Sequence, residues 1–486
     1  MKVLVAAEDS GSLKEISFPP GTNTSIQGTS EPDITTFATA GRTSYVQRLT
    51  LASIKGKDYI CVARKGGVVE LYDQDSHELF FSQVQQSVVA EDAFIGLQFV
   101  HGLLFTCTSA GVLRVIDLHD HKRGAEIYTT NLVETSSSSS GSNIHHHHNN
   151  NNNNNSSNSN ILQQTRSISA FRVHPQRPNI VAFGGKDFEL EINELKNVVA
   201  NNDERDDARW KIIPNDSKII PRQKLWKAKN VKNDELDLRV PVWVSDVWFL
   251  DVDDNAAADS LNDHFRLVIS TRFGHVRVYE TSSSRKPILN VEVGEHPLVA
   301  LTVTDSDREV VFGDTHGTTA RFSLITGRKL GHYVGAGGSV LSLDTFIESS
   351  NKTNNNDDDD DGENHDNKFI ATGGLDRFLR VYRMQSRELV GKVYVGTKVS
   401  AVKILDASEP EAAQQQTNND GNANDNNDDD DDDDNNNKKS GQKRRRLNHD
   451  EQEGSEKQQK IKVESNDDES DDDEDVWKLL KEDEQP

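Results

Sequence analysis

The sequence predicts an all-β protein, a seven-bladed β-propeller with disordered loop inserts and a disordered acidic C-terminal tail, and three observations predict it. Seven segments repeat one pattern: a short apolar strand, a tight turn carrying Gly or Asp, and a second strand of alternating polarity. That pattern is the signature of a β-hairpin. Two gaps between turn centres are about 44 residues, and setting aside two visible polar inserts brings two more to about 40–46, the period of a four-stranded blade, with the gap from Asp187 to Gly274 as the outlier. A last pair of strand-like runs, KVYVGTKVSAVKIL from Lys392 to Leu405, stands where the ring has to close.

In chain order the hairpins start at Lys2, Tyr59, Leu103, Ile180, Arg266, Glu309 and Phe369, with turn centres near Gly11, Gly66, Gly111, Asp187, Gly274, Gly317 and Asp376. Each blade leaves apolar faces that only its neighbours can cover, so seven such units make a closed ring the economical solution. The two strands of Lys392–Leu405 are expected to pair with the Lys2–Phe18 hairpin as a latch. GGLDRFLRVY, from Gly373, is the best match to the WD-repeat pattern, with Asp376 in the turn and Tyr382 where that pattern usually carries Trp. No unit ends in a Trp-Asp pair, so the fold expected is a degenerate, WD40-like propeller over residues 1–405. Asp376 and Asp187 are read as turn residues that hydrogen-bond locally.

The chain has 486 residues, a formal net charge of -25 and only 34% hydrophobic residues, so much of it stays outside any core. The stretch 406–486 alone holds 28 acidic and 11 basic residues, and without it and the Asp-rich run at 350–368 the remainder is nearly neutral. A local basic face, and with it an RNA partner, is therefore not excluded by the overall charge. The inserts at about 135–160 and 350–367, rich in Ser, His, Asn and Asp, have too few apolar residues to fold. His145 to His148 lie inside such a homopolymer and lack the spaced, pre-set ligands of a metal site.

In the tail, residues 438–446 read KKSGQKRRR; Lys438, Lys439, Lys443, Arg444, Arg445 and Arg446 form an exposed basic cluster that suits an acidic groove of a nuclear import receptor. The short apolar island at 476–480, VWKLL, puts Trp477 and Leu480 on one face of a short helix suited to docking. Cys61 and Cys107 sit in apolar runs and are expected to act as small buried hydrophobes. No apolar run approaches the roughly 20 residues that span a bilayer, and no membrane partner is expected.

The sequence contains no GxxxxGK, HExxH, GxSxG or Cys-His metal spacing. Gly335, Gly337 and Gly338 precede a strand rather than a helix, and His174, His275, His316 and His332 are scattered across predicted loops. No catalytic, cofactor-binding or metal residues are assigned, no small-molecule substrate is expected, and the protein reads as a non-enzyme.

The densest segment is LWKAKNVKNDELDLRVPVW, Leu225 to Trp243. Its charged residues resist burial, whereas Trp226, Val231, Leu236, Leu238 and Trp243 favour apolar contact. The expectation is a loop pinned by those apolar residues that presents Asn230, Lys232, Asn233, Asp237 and Arg239 to a partner, with Trp226 and Trp243 at its edge. This segment, DSGSLKE at Asp9–Glu15, and GGLDRFLRVY with KVYVG at Gly373–Gly396 resemble the Nop-seven-associated family of WD-repeat ribosome-assembly factors. The resemblance runs from Met1 to Leu405 and extends weakly to the tail motif around Trp477; the Asn, His and Asp tracts are no part of it. It implies a nucleolar scaffold on precursors of the large (60S) ribosomal subunit. Such a scaffold would bind neighbouring assembly factors and pre-rRNA, support pre-rRNA processing, and be released by an AAA-type ATPase. The alternative is a nuclear WD-repeat adaptor for chromatin or a ubiquitin ligase, which would read a peptide through the top of the ring.

Overall fold

The computed structural model describes residues 1–85, 92–119, 127–133, 167–200, 210–251, 264–304, 308–347 and 368–407. The inserts at 135–160 and 350–367, the basic cluster 438–446, and Trp477 and Leu480 lie outside the described residues. Within them the chain is built of strands, with one short 3-10 turn at Arg42–Ser44. No helix among the described residues is long and apolar enough to cross a membrane.

Blade 1 carries β1 (Lys2–Ala7), β2 (Ser12–Ser17) and β3 (Asp33–Phe37). Blade 2 is β4 (Val46–Ile54), β5 (Lys57–Arg64), β6 (Val68–Asp73) and β7 (Leu79–Val84); blade 3 is β8 (Phe94–Val100), β9 (Leu103–Thr108), β10 (Val112–Asp117) and β11 (Ile127–Asn131). Blade 4 starts with β12 (Ile168–Val173), β13 (Ile180–Gly185) and β14 (Phe188–Leu195). A small two-stranded sheet of β15 (Val198–Ala200) and β16 (Trp210–Ile212) follows, and then the outer strand β17 (Arg222–Lys227). Blade 5 is β18 (Val244–Leu250), β19 (Arg266–Thr271), β20 (His275–Glu280) and β21 (Leu289–Glu292). Blade 6 is β22 (Leu298–Val303), β23 (Glu309–Asp314), β24 (Thr319–Ser323) and β25 (Arg328–Tyr333). Blade 7 is β26 (Val340–Ile347), β27 (Lys368–Gly374), β28 (Phe378–Arg383) and β29 (Leu389–Tyr394), after which β30 (Val399–Asp406) returns to blade 1. The result is seven four-stranded antiparallel sheets, and all seven hairpins expected from the sequence are present as the two middle strands of each blade.

The latch differs from expectation in one strand. β30 pairs with β1, Val5 opposite Val402 and Ala6 opposite Ala401, but β29 belongs to blade 7, where it pairs with β28. Its outer edge is then taken by the segment after β2, where Asn23 forms a parallel bridge to Lys392 and Lys392 N–H donates to the Thr22 carbonyl. Two of the three resemblance motifs meet at this closure. The Asp9 carboxylate accepts from Thr397 Oγ1 at 3.2 Å and from the Lys398 amide at 3.3 Å, and Gly373 leaves room for Val399 and Val402.

Among the described residues there is no single central core. Buried apolar residues form one cluster at each of the seven blade junctions, from Leu4, Leu13, Ile60 and Val62 between blades 1 and 2 to Val3, Val399 and Val402 between 7 and 1. Strand alternation dictates this, because each blade presents one face of its pleat to each neighbour. Cys61 and Cys107 lie in these clusters, fully buried, with burial pushing both thiols up.

The first strands of successive blades ring the axis, and polar side chains clasp each to the next. Gln47 Oε1 accepts from Phe94 N–H at 2.8 Å, Gln98 Oε1 from Val173 N–H at 2.6 Å, and Asp344 Oδ2 from Ile404 N–H at 2.8 Å. Ser169 Oγ donates to the Val244 carbonyl at 2.5 Å and Ser400 Oγ to that of Val46 at 2.7 Å. Arg172 lies over the Trp248 ring at 3.6 Å, and Trp248 Nε1–H donates to the Leu301 carbonyl at 2.8 Å. Each of these hydrogen bonds satisfies a backbone group on an innermost strand, where buried N–H and C=O groups need partners.

The turn glycines are required by geometry at Gly11 and Gly274. Both have positive φ (62° and 73°), and a Cβ would strike the carbonyl of Gly41 or Gly294.

Candidate functional site

The segment Leu225–Trp243 comprises the end of β17 and the connection to the inner strand of blade 5. Both feet of that connection are built into the ring. Trp226, opposite Ile192, is half-buried and packs edge-on against Tyr279 at 5.7 Å between ring centres. Ala228 is buried and its N–H donates to the Leu190 carbonyl at 2.8 Å. At the other foot Val242 is buried, and its carbonyl accepts from the Asp187 amide at 2.9 Å; the Trp243 carbonyl accepts from the Arg272 amide at 2.9 Å. The Trp243 ring lies between Lys186 Nζ, 5.2 Å away, and the Arg272 guanidinium, 5.8 Å away. The hairpin turns of blades 4 and 5, the latter just before Gly274, thus hold one leg of the loop.

Between the feet the chain closes on itself. Asn230 Nδ2 donates across the neck to the Val240 carbonyl at 2.6 Å, and its Oδ1 accepts from Val231 N–H at 2.9 Å. Asp234 Oδ1 accepts from the amides of Leu236 and Leu238, both at 2.9 Å, while Asp234 N–H donates to the Leu238 carbonyl at 2.9 Å. Asn233 Nδ2 donates to Asp237 Oδ1 at 3.0 Å, and Asp237 adopts φ 60°. These are the local side-chain-to-backbone bonds by which Asn and Asp shape turns and tolerate left-handed backbone. Residues 232–239 are all exposed.

The sequence expectation therefore divides. Trp226, Val231 and Trp243 are half-buried at or near the feet, but Leu236 is 79% and Leu238 52% exposed, so neither anchors the loop. They stand at the tip because the polar residues beside them form the turn, leaving no scaffold behind the leucines to bury them. Asn230, Asn233 and Asp237 spend hydrogen-bonding capacity inside the loop. Lys232 and Arg239 lie on its exposed stretch, and Arg239 Nη2 is 3.7 Å from Glu189 Oε1. Glu189 is buried on β14, and burial raises its carboxyl pKa against the pull of Arg277, Arg239 and Lys227. Sequence reasoning missed Asp234 and Glu189. An Asn-Asp-Glu-Leu-Asp run is a turn signal that points to the former, whereas Glu189 sits in an alternating strand and carries no signal of its own.

Elsewhere, Asp376 behaves as a turn residue, its Oδ2 accepting from Arg380 at 2.7 Å and from the Gly337 amide at 2.9 Å. Of the four histidines expected in loops, His275 lies in β20 and His332 in β25. His174 Nδ1 accepts from the amides of Gln176 and Arg177, each at 3.2 Å, and its ring packs 4.8 Å from Phe249. Burial, with Arg177 beside it, pushes this imidazole down to about 4. No group of three or more His, Cys, Asp or Glu able to hold a metal ion occurs among the described residues.

The His174 shift carries a pH prediction. The unfolded imidazole takes its proton near 6.5, the folded one only near 4, so the unfolded state binds more protons between those values. Stability is full above about 6.5 and declines as the pH falls toward 4. The melting temperature should drop from pH 7 to pH 5, and His174→Asn, whose Oδ1 can take the same two amides, should flatten that drop. An identical decline in the variant would remove His174 as its source.

Seven four-stranded blades, closed by the pairing of β30 with β1, define a WD-repeat-like propeller protein. Comparison with known proteins narrows the class. The chain is 27% identical over 443 residues to the ribosome biogenesis protein NSA1 of Yarrowia lipolytica, covering 85% of this chain and 90% of that one. It is 25% identical over 447 residues to the protein of the same name from Saccharomyces cerevisiae, covering 85% and 90%. With WD repeat-containing protein 74 of Homo sapiens it shares 30% identity over 315 residues, 64% of this chain and 60% of that one. The chain matches the Nop-seven-associated WD-repeat factors, and its homologues span yeasts and mammals. No family model matches. Among solved structures, that of Saccharomyces cerevisiae Sqt1 covers 74% of this chain at 12% identity and a TM-score of 0.44; the fold assignment rests instead on the sheet topology.

Proposed function

We propose that this protein is a non-enzymatic assembly factor of the large ribosomal subunit, a scaffold that sits on nucleolar precursor particles and is needed for pre-rRNA processing. The observation that carries the reading is the extent of the match, 27% identity over 85% of this chain and 90% of the relative. Shared propeller geometry alone would not give that. The adaptor alternative is not favoured.

In this reading the mechanism is placement. A rigid ring holds one built loop, and Trp226, Asn230, Lys232, Asn233, Asp237, Arg239 and Trp243 form the edge that meets neighbouring assembly factors or pre-rRNA. The basic cluster Lys438–Arg446 serves as the nuclear import address, Trp477 and Leu480 serve as a docking pair, and an AAA-type ATPase releases the protein from the particle. Support for these finer assignments comes from composition and from the resemblance.

The test is sedimentation of the tagged protein from nuclear extract, with identification of the RNA and proteins that travel with it. Recovery at the size of a large-subunit precursor, with unprocessed rRNA and loss on RNase treatment, is the expected result. A small RNA-free complex with chromatin or ligase subunits would overturn the reading.

A further inference from the structure

We propose that the tip leucines of the loop, Leu236 foremost and Leu238 beside it, make the contact with a partner. The partner is a protein offering an apolar pocket with a basic rim, and Asn233, Asp234 and Asp237 are positioning residues. This rests on the reading that the loop is a partner-binding edge, and it reverses the roles expected from polarity.

Three observations carry it. First, the polar groups that look available are engaged: Asn233 Nδ2 reaches Asp237 Oδ1, and Asp234 Oδ1 holds two amides of the turn. Second, the same bonds fix the backbone on either side of Leu236, which is 79% exposed. A large apolar side chain displayed on an ordered turn loses little further entropy on binding, and that preorganisation is what distinguishes an anchor from an incidental surface leucine. Third, the tip is flanked by three carboxylates, Asp234, Glu235 and Asp237, all exposed. Such a tip repels a phosphate backbone and suits a pocket whose rim carries Lys or Arg. The cationic residues Lys232 and Arg239 stand on the legs below it, and Arg239 leans back to Glu189.

The test uses full-length tagged protein with a photo-crosslinking phenylalanine analogue at position 236, illuminated in cells, followed by mass spectrometry of the adduct. The expected adduct is to a protein peptide, survives RNase, and maps to an apolar surface bordered by Lys or Arg. In parallel, Leu236→Asp should lower recovery of that partner by about tenfold or more, the scale of losing one buried leucine, with an unchanged melting temperature. Leu236→Met should retain the partner. Asp237→Asn, which keeps the acceptor and tolerates positive φ, should retain it as well, whereas Asp237→Ala should lose it. An adduct to RNA, no adduct, or wild-type recovery by Leu236→Asp overturns the proposal. Wild-type protein that sediments as a small RNA-free complex overturns the assembly reading instead, and the adduct at 236 still decides this one.

Discussion

A chain ending at Lys398 should fail to form the native ring, whereas one ending at Ala407 should fold. The eight residues Val399–Asp406 are the innermost strand of blade 1, and their loss uncovers β1, whose Val3, Leu4, Val5 and Ala6 are all fully buried. It also removes Val399, Val402 and Ile404 from the cluster between blades 7 and 1. Each such side chain contributes about 1.5–3 kcal/mol when fully buried. Several together approach the whole of a typical net stability, about 5–15 kcal/mol. Asp344 would at the same time lose the Lys403 ammonium at 2.6 Å and the Ile404 amide, leaving a carboxylate at the axis without either partner. Circular dichroism melting of the two truncations decides the matter. A cooperative transition in the shorter chain within a few degrees of the longer one would mean that the ring does not depend on this closure.

The second large effect belongs to Arg64. Its guanidinium is 1% exposed and acts as a rivet between blades 1 and 2. Nη1 donates to the Gly11 carbonyl at 2.7 Å and the Ser44 carbonyl at 3.2 Å, Nη2 to the Ala38 carbonyl at 2.7 Å, and Nε to Glu70. Tyr72 O–H donates to the same Glu70 oxygen at 2.8 Å. Arg64→Leu leaves three carbonyls and a carboxylate without their cation, and breaking a buried pair from one side costs about 3–5 kcal/mol. For a protein of this size that is a fall in melting temperature of about 4–6 °C. Arg64→Lys should not rescue, because a single ammonium cannot reach acceptors arrayed around a planar fork. A fall of only a degree or two in Arg64→Leu would show that the rivet is dispensable. The same bond gives the Asp9–Glu15 turn a structural role: it presents the Gly11 carbonyl to Arg64, while Glu15 holds Lys2 at 3.0 Å.

The blades were legible because a hairpin writes itself locally. Turn glycines such as Gly11 and Gly274, and the alternation in strands such as RLVIS and HVRVY, report backbone geometry within a few residues. The closing strand was legible in part. KVSAVKIL is the right strand, but KVYVG pairs inside blade 7, and local pattern cannot tell which of two adjacent sheets an edge will join. The excursion after β14 was legible only as a long gap. In three dimensions Ile219 bridges to Thr129 on the outer edge of blade 3, a partnership between residues ninety positions apart in sequence.

By itself the sequence determined the all-β class and the seven-fold repeat, which depend on turn chemistry and period, and its composition set Leu225–Trp243 apart as a dense charged and aromatic run. Tertiary structure alone decided what that segment displays. Asn233 and Asp237 look like recognition groups and Leu236 like an anchor, yet the folded loop turns the first two onto each other and the leucine into water. The reason is physical. Polarity states what a side chain can bond to, and only the fold states whether that capacity is already spent.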